Sequence, residues 1–216
     1  MQEQPIWLIP WVIFSVTAAL IVGKLVKSEP NIKGSGIPQV EGQVQGLISL
    51  NWWPVIWKKF IGGLLAIGSG LFLGREGPSI QLGSAVGQGI SNLTKGDDVE
   101  EKILLSSGAG AGVAAAFNAP LAGLMFVLEE VHHNFSPLLA ITTFSSALVA
   151  NFVSLNIFGL TPALDIGMTN TIPIAYYGFV IGLVIFLGLN GWLYTKVVLV
   201  LLKLYGRLPF ILARYN

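Results

Sequence analysis

Cysteine is absent from the 216 residues, histidine occurs twice, and charged residues make up only 11% of the chain. Without a thiol there can be no disulfide, no thiolate metal site and no palmitoyl anchor. A soluble domain carries about 25% charged residues, so the shortage of charge argues against a chain that folds in water. The formal net charge is +1, and no dense basic tract with interleaved aromatics occurs, so no nucleic-acid partner is expected. P-loop, nucleophile-elbow and HExxH patterns are also missing, which leaves no visible catalytic set; neither an enzyme nor a bound cofactor is expected.

What the chain has in quantity is hydrophobic surface: 53% of residues are apolar and the mean hydropathy is +0.72. A bilayer core about 30 Å thick asks for about 20 apolar residues per straight span. Runs that approach this length are Trp7 to Val22, Phe60 to Leu73, Ile103 to Leu128, Leu138 to Phe158 and Ile174 to Leu202. The expectation is an all-α integral membrane protein with the lipid bilayer as its surroundings, residues 1–216 forming one membrane domain.

The start lacks a positive n-region and a small-residue cleavage site, so it reads as a retained first span. Positive charge follows that span, at Lys24, Lys27, Lys33, Lys58 and Lys59, and residues 1–23 contain none. Positive residues favour the cytoplasmic side. The segment is therefore expected to start outside, which hints at a preceding helix missing from this chain.

Glycines and prolines interrupt the apolar runs, as in "GGLLAIGSGLFLG" and "SSGAGAGVAAAFNAPLAG". Broken backbone at membrane depth is tolerated only where protein buries it or it lines a wet cavity, so the pattern favours transport over anchoring. Gly83 and Gly87, and Gly108 and Gly112, stand four apart, a spacing that lets helix backbones approach closely. Two polar stretches read as loops, residues 91–102 and 158–173. The basic residues Lys196, Lys203, Arg207 and Arg214 mark a last helix emerging into the interface.

Two motifs repeat a local design. In "GSGIPQVEG", residues 34–42, and "GREGPSIQLG", residues 74–83, glycines precede a proline. Glycine permits tight backbone and proline near the first helical position leaves fewer orphan N–H groups, so each motif predicts a helix start. Exposed N–H groups and the helix dipole attract anions, and two such starts meeting at mid-membrane make an anion site from neutral groups. Ser35 adds a hydroxyl donor. Ordinary helix starts, with glycines for packing, are the plain alternative.

Arg75 and Glu76 sit between apolar runs, where a charge costs about 3 kcal/mol even on the lenient scale. A carboxylate beside a helix N-terminus can occupy the place of an anion, and protonation lets it leave, which makes Glu76 a candidate gate. An interfacial salt bridge with Arg75 is its rival. Glu129 and Glu130, about 100° apart on an α-helix, suit one proton relay and one solvated or paired carboxylate. His132 and His133 point apart and have no matching ligand cluster, so no metal site is expected. Gly108, Gly110 and Gly112 imitate a dinucleotide fingerprint without its strand or its acidic residue.

Taken together, "GSGIPQVEG", "GREGPSIQLG" and "GAGAGVAAAFNAPLAGLMFVLEE" resemble three signatures of the CLC family of chloride channels and chloride/proton exchangers, in that family's order. The resemblance implies broken, tilted helices forming one half of an inverted-repeat architecture, with chloride and protons as transported ions. It implies that Ser35 helps hold the central anion with the Gly34 and Ser35 amides, and that amides of Arg75, Glu76 and Gly77 surround an outer site. Glu76 would be the external gate and Glu130 the internal proton-transfer site.

That carboxylate at position 130 favours an exchanger, with a passive voltage- or proton-gated channel as the alternative. Gln39 departs from the glutamate common in bacterial relatives and reads as trimming surface charge. The later "GIF-Pro" loop and its tyrosine have no counterpart, since Tyr194, Tyr205 and Tyr215 lie outside that motif. A bacterial plasma membrane, a homodimer when complete, and a truncated or split half lacking transport of its own are the accompanying expectations.

Overall fold

A computed structural model describes residues 8–71, 73–159 and 177–205, and among these every regular element is helical. They divide between two compact units, residues 1–165 and 166–216. The first contains α1 (Leu8–Ser28), a 3₁₀ turn at Pro30–Ile32, α2 (Ile37–Val44), α3 (Trp52–Gly68), α4 (Glu76–Thr94), α5 (Asp98–Phe117), α6 (Pro120–Phe126) continued by a π-turn at Val127–Val131, and α7 (Pro137–Phe158). The second contains α8 (Gly178–Tyr205).

α1, α7 and α8 are long and apolar enough to cross a membrane. At 1.5 Å per residue the 21 residues of α1 reach about 31 Å, the thickness of the hydrocarbon core. Several of their polar side chains fold back on their own helix: Thr17 Oγ1 donates to the Ile13 carbonyl, and within α8 Asn190 Nδ2 donates to Phe186 at 2.8 Å. A bilayer offers no water, so such back-bonding satisfies the side chain locally.

α4 and α5 form the centre of the first unit. A Cβ placed on Gly83 or Gly87 would collide with the backbone carbonyls of Gly108 and Leu104, and one on Gly108 or Gly112 with those of Gly83 and Ser79. Glycines four apart on both helices therefore mate directly, as their spacing predicts. Val40, Val44, Ile80, Leu105, Ala109, Val113 and Val131 join α2, α4, α5 and the π-turn in one core. Ile32, Leu50, Val55 and Ala85 form a second, with Leu25 and Trp52 packed against it.

Two boundaries differ from the sequence reading, and one break falls in a stretch that it read as interrupted. Residues 91–102 are not one loop: α4 runs to Thr94, Lys95 turns the chain at φ 58°, and α5 starts at Asp98. Asp97 explains the early start, because its side chain accepts from the N–H groups of Val99 at 2.9 Å and Glu100 at 2.8 Å, while Glu100 accepts back from Asp97 N–H. That reciprocal capping box satisfies orphan donors in a polar segment.

α3 begins at Trp52, ahead of the run that opens at Phe60, with Asn51 Oδ1 accepting the Trp53 N–H. Lys58 and Lys59 interrupt the hydropathy there but not the helix. The run Ile103 to Leu128 breaks at Asn118, which takes the left-handed conformation at φ 57° before Pro120 opens α6. The second expected loop, residues 158–173, lies outside the described residues except for Phe158, the last residue of α7, and Gly159.

Candidate functional site

Both glycine-proline motifs open helices. Pro38 is the second residue of α2 and Pro78 the third of α4. At these positions an N–H would have no intrahelical acceptor, so proline removes a donor that the helix does not use. The Gly36 backbone has φ 98° and Gly34 φ 71°, both in the left-handed region that favours glycine.

The two starts touch. A Cβ on Gly77 would lie 2.7 Å from the Ser35 carbonyl oxygen and 2.8 Å from Ser35 Cβ; one on Gly36 would lie 2.6 Å from Gln81 Cβ. Glycine at 36 and 77 is thus what lets the start of α2 seat on the first turns of α4. Ser35 Oγ accepts the Ile37 N–H at 3.3 Å, which leaves the hydroxyl hydrogen free to donate elsewhere.

Gly34, Ser35, Glu76 and Gly77 line one cavity of about 510 Å³, together with Lys59 and Gly74 among others. The Glu76 carboxylate folds back over Gly74, into the space that a Cβ there would take. Arg75 does not join this cavity. Its side chain is exposed and lines a different hollow with Ser79, Asn118, Ser154 and Phe158. Of the five expected anion-site residues, four therefore line one space, and Arg75 lines another.

Lys59 is a feature that the sequence reading used only as topology. It is 4% exposed, and its Nζ donates to the carbonyls of Ile32 at 2.9 Å and Gly34 at 2.8 Å. A buried cation is costly unless paired or given acceptors, and these two carbonyls supply them. The "KK" pair between tryptophans and an apolar run was the available signal.

Glu130 lines neither cavity. It sits with Glu129 in the π-turn, where the His132 N–H bonds the Val127 carbonyl at 3.0 Å, and both carboxylates are exposed. A π-turn adds a residue to the helical repeat and re-aims the side chains that follow. His132 Nε2 lies 2.7 Å from Ser106 Oγ, and His133 is exposed at φ 52°. Among the described residues no cluster of three potential metal ligands occurs.

A polar network unforeseen in the sequence crosses the other end of α4. Gln43 Nε2 donates to Gln88 Oε1 at 3.2 Å, and Gln88 Nε2 donates to the Leu50 carbonyl and to Glu101 Oε1. It ties α2, the loop before α3, α4 and α5 together.

Three helices long and apolar enough to cross a membrane, glycine-mated helices and two helix starts on a shared cavity describe an integral membrane protein. The chain belongs to the voltage-gated chloride channel family, whose model matches residues 18–215. It is similar to the H(+)/Cl(-) exchange transporter ClcA of Vibrio cholerae, 44% identical over 153 residues, which covers 69% of this chain and 32% of the relative. It is also similar to the ClcA of Cronobacter sakazakii, 34% identical over 210 residues, 93% of this chain and 45% of that one. The crystal structure of a slow cyanobacterial Cl-/H+ antiporter superposes with a TM-score of 0.88 at 31% identity, over 99% of this chain and 51% of the other. The chain thus spans between a third and a half of the curated relatives it matches.

Proposed function

We propose that this chain is the N-terminal half of a chloride/proton exchanger and carries part of its ion pathway. The observation behind the proposal is the contact of Gly77 with Ser35, which puts two helix starts, a hydroxyl and a carboxylate around one cavity. N–H dipoles with one removable negative charge suit an anion that alternates with a carboxylate. In this reading the Gly34 and Ser35 amides hold the inner position, amides of Arg75, Glu76 and Gly77 surround the outer one, and Glu76 is the gate. Glu130, on the π-turn, receives protons from the other side. The relatives are exchange transporters by name, and the carboxylate at 130 fits that class over a passive channel.

Both units are read as parts of one membrane domain in a bacterial inner membrane, with a homodimer forming once the other half is supplied. Chloride efflux from vesicles, with external pH followed in parallel, tests the reading on the chain alone and with a complementary half. Coupled proton movement is expected in the complete assembly. Glu76→Ala is expected to reduce proton movement to the level of empty vesicles while chloride still passes, and Glu130→Gln to do the same. Unchanged coupling in Glu76→Ala would remove the gate assignment. Chloride flux without protons in the unaltered assembly would instead favour the channel.

A further inference from the structure

The four residues before the GSGIP helix start share a property that the two motifs do not explain. Every carbonyl from Asn31 to Gly34 accepts a side-chain donor from another element. Gln81 Nε2 of α4 donates to Asn31 at 2.8 Å, Lys59 Nζ of α3 to Ile32 at 2.9 Å and to Gly34 at 2.8 Å, and Gln39 Nε2 of α2 to Lys33 at 3.4 Å. Gln81 and Lys59 are 1% and 4% exposed, so the fold places these donors in its interior. The Gln81 side chain also lies against Gly36, closing the turn from the α4 side.

In a planar trans peptide the C=O and the following N–H point to opposite sides. Holding a carbonyl therefore aims the next amide away from the holder. The N–H groups of Ile32 and Lys33 are spent within the 3₁₀ turn, on Glu29 and Pro30 at 3.2 and 3.1 Å. Those of Gly34 and Ser35 reach no acceptor among the described residues. Their directions are fixed by the carbonyls of Lys33 and Gly34, which Gln39 and Lys59 hold.

We propose that Lys59, Gln39 and Gln81 are positioning residues for the anion loop. They tie back its carbonyl oxygens, which would repel an anion, and so present the Gly34 and Ser35 amides to it. Gln81 and the Ile32 bond of Lys59 anchor the preceding turn, and Gln39 and the Gly34 bond of Lys59 aim the two amides. This rests on the anion reading given above. It also gives position 39 a role: a glutamate there has no amide hydrogen to donate to Lys33 and would add negative charge beside the loop.

The test uses the full chain, isotope-labelled in lipid nanodiscs, with backbone carbonyl and amide resonances of residues 31–37 followed during titration with chloride. Lys59→Met is expected to shift the Ile32 and Gly34 carbonyls, Gln81→Leu that of Asn31, and Gln39→Glu that of Lys33. Lys59→Met and Gln81→Leu should each weaken chloride binding by about tenfold, the scale of one lost charge-assisted or buried hydrogen bond, and Gln39→Glu, whose bond is longer and exposed, should weaken it by less. Lys59→Arg, which keeps donors, should retain most of the affinity. Should Lys59→Met fail to fold, Gln39→Glu at the loop edge carries the same comparison.

Unmoved carbonyl resonances, or variants that bind chloride as tightly as the parent, would overturn the positioning role and leave the anion reading intact. A parent chain that binds no chloride overturns the anion reading for this chain and the positioning role with it.

Discussion

At residue scale, His132 has the clearest signature in pH. Ser106 Oγ donates to the Lys102 carbonyl at 2.7 Å, so the lone pair that it turns to His132 Nε2 accepts a proton from that nitrogen. Burial, and after it the Lys102 ammonium, holds the imidazole below its ordinary value of 6.5. The group lies between the π-turn and α7, outside the spans. Below about 6.5 the unfolded chain takes up a proton that the folded chain refuses, so the shift costs stability as pH falls through that range and nothing above it. Thermal unfolding in detergent should show a midpoint that declines toward acid. His132→Gln should flatten the decline, and an equal slope in that variant would place its origin elsewhere.

The same scale shows what single residues reveal in a sequence. Ser35, Glu76 and the glycines around them are legible because a serine between glycines, or a charge inside an apolar run, has few structural uses. Gln39 is not: as a letter it marks only the loss of a charge. Its bond to Lys33 exists because α2 turns its first side chains back over the loop. Nor does a sequence show that Arg75 and Glu76, adjacent in the chain, open onto separate cavities.

Among elements, the α4–α5 pair was readable from spacing, since glycines at i and i+4 on both runs need a partner backbone. Overpacking such a contact costs about 1–3 kcal/mol. Gly83→Ala and Gly108→Ala should each lower stability by about that amount, because the added methyl meets a backbone carbonyl that has no rotamer to escape by. Gly182→Ala, on α8 with nothing within 4 Å of its Cβ position, should be neutral or slightly stabilising. Equal losses at all three positions, measured by heat-induced loss of helicity, would contradict close mating as the cause. The π-turn escaped the sequence reading, for five residues of ordinary helix formers carry no local mark of the wider repeat. The start of α3 escaped it too, since hydropathy penalises Lys58 and Lys59, whose ammonium groups the fold places on carbonyls.

For the whole molecule, charge and fold define two ends. Lys58 donates to the Ser28 carbonyl and Lys59 to Ile32 and Gly34, which brings Lys24, Lys27 and Lys33 to the same end as the first half of α3. Arg75 and Phe158 share the lining of a hollow away from these contacts. The positive-inside rule then orients the first unit with its lysine-rich end in the cytoplasm. A chain without cysteine permits a direct check, for any introduced thiol is the only one present. Lys95→Cys should react with a membrane-impermeant maleimide only in inverted vesicles, and Phe158→Cys only in intact cells. The opposite pattern would reverse the assignment of the Glu76 loop to the outer side.

The glycine contacts between α4 and α5 also set a mechanical limit. Each helix rests its Cα atoms on the carbonyls of the other, so a screw motion by one residue, about 1.5 Å along the axis and about 100° around it, would drive Ser84 or Ala109 into a position where only hydrogen fits. The pair behaves as one stiff strut reaching from the Glu76 loop to the capping box at Asp97, with no slack along its length. Rearrangement around the cavity is left to the Glu76 side chain, to the loop that Lys59 and Gln81 hold, and to helices that carry no such interlock.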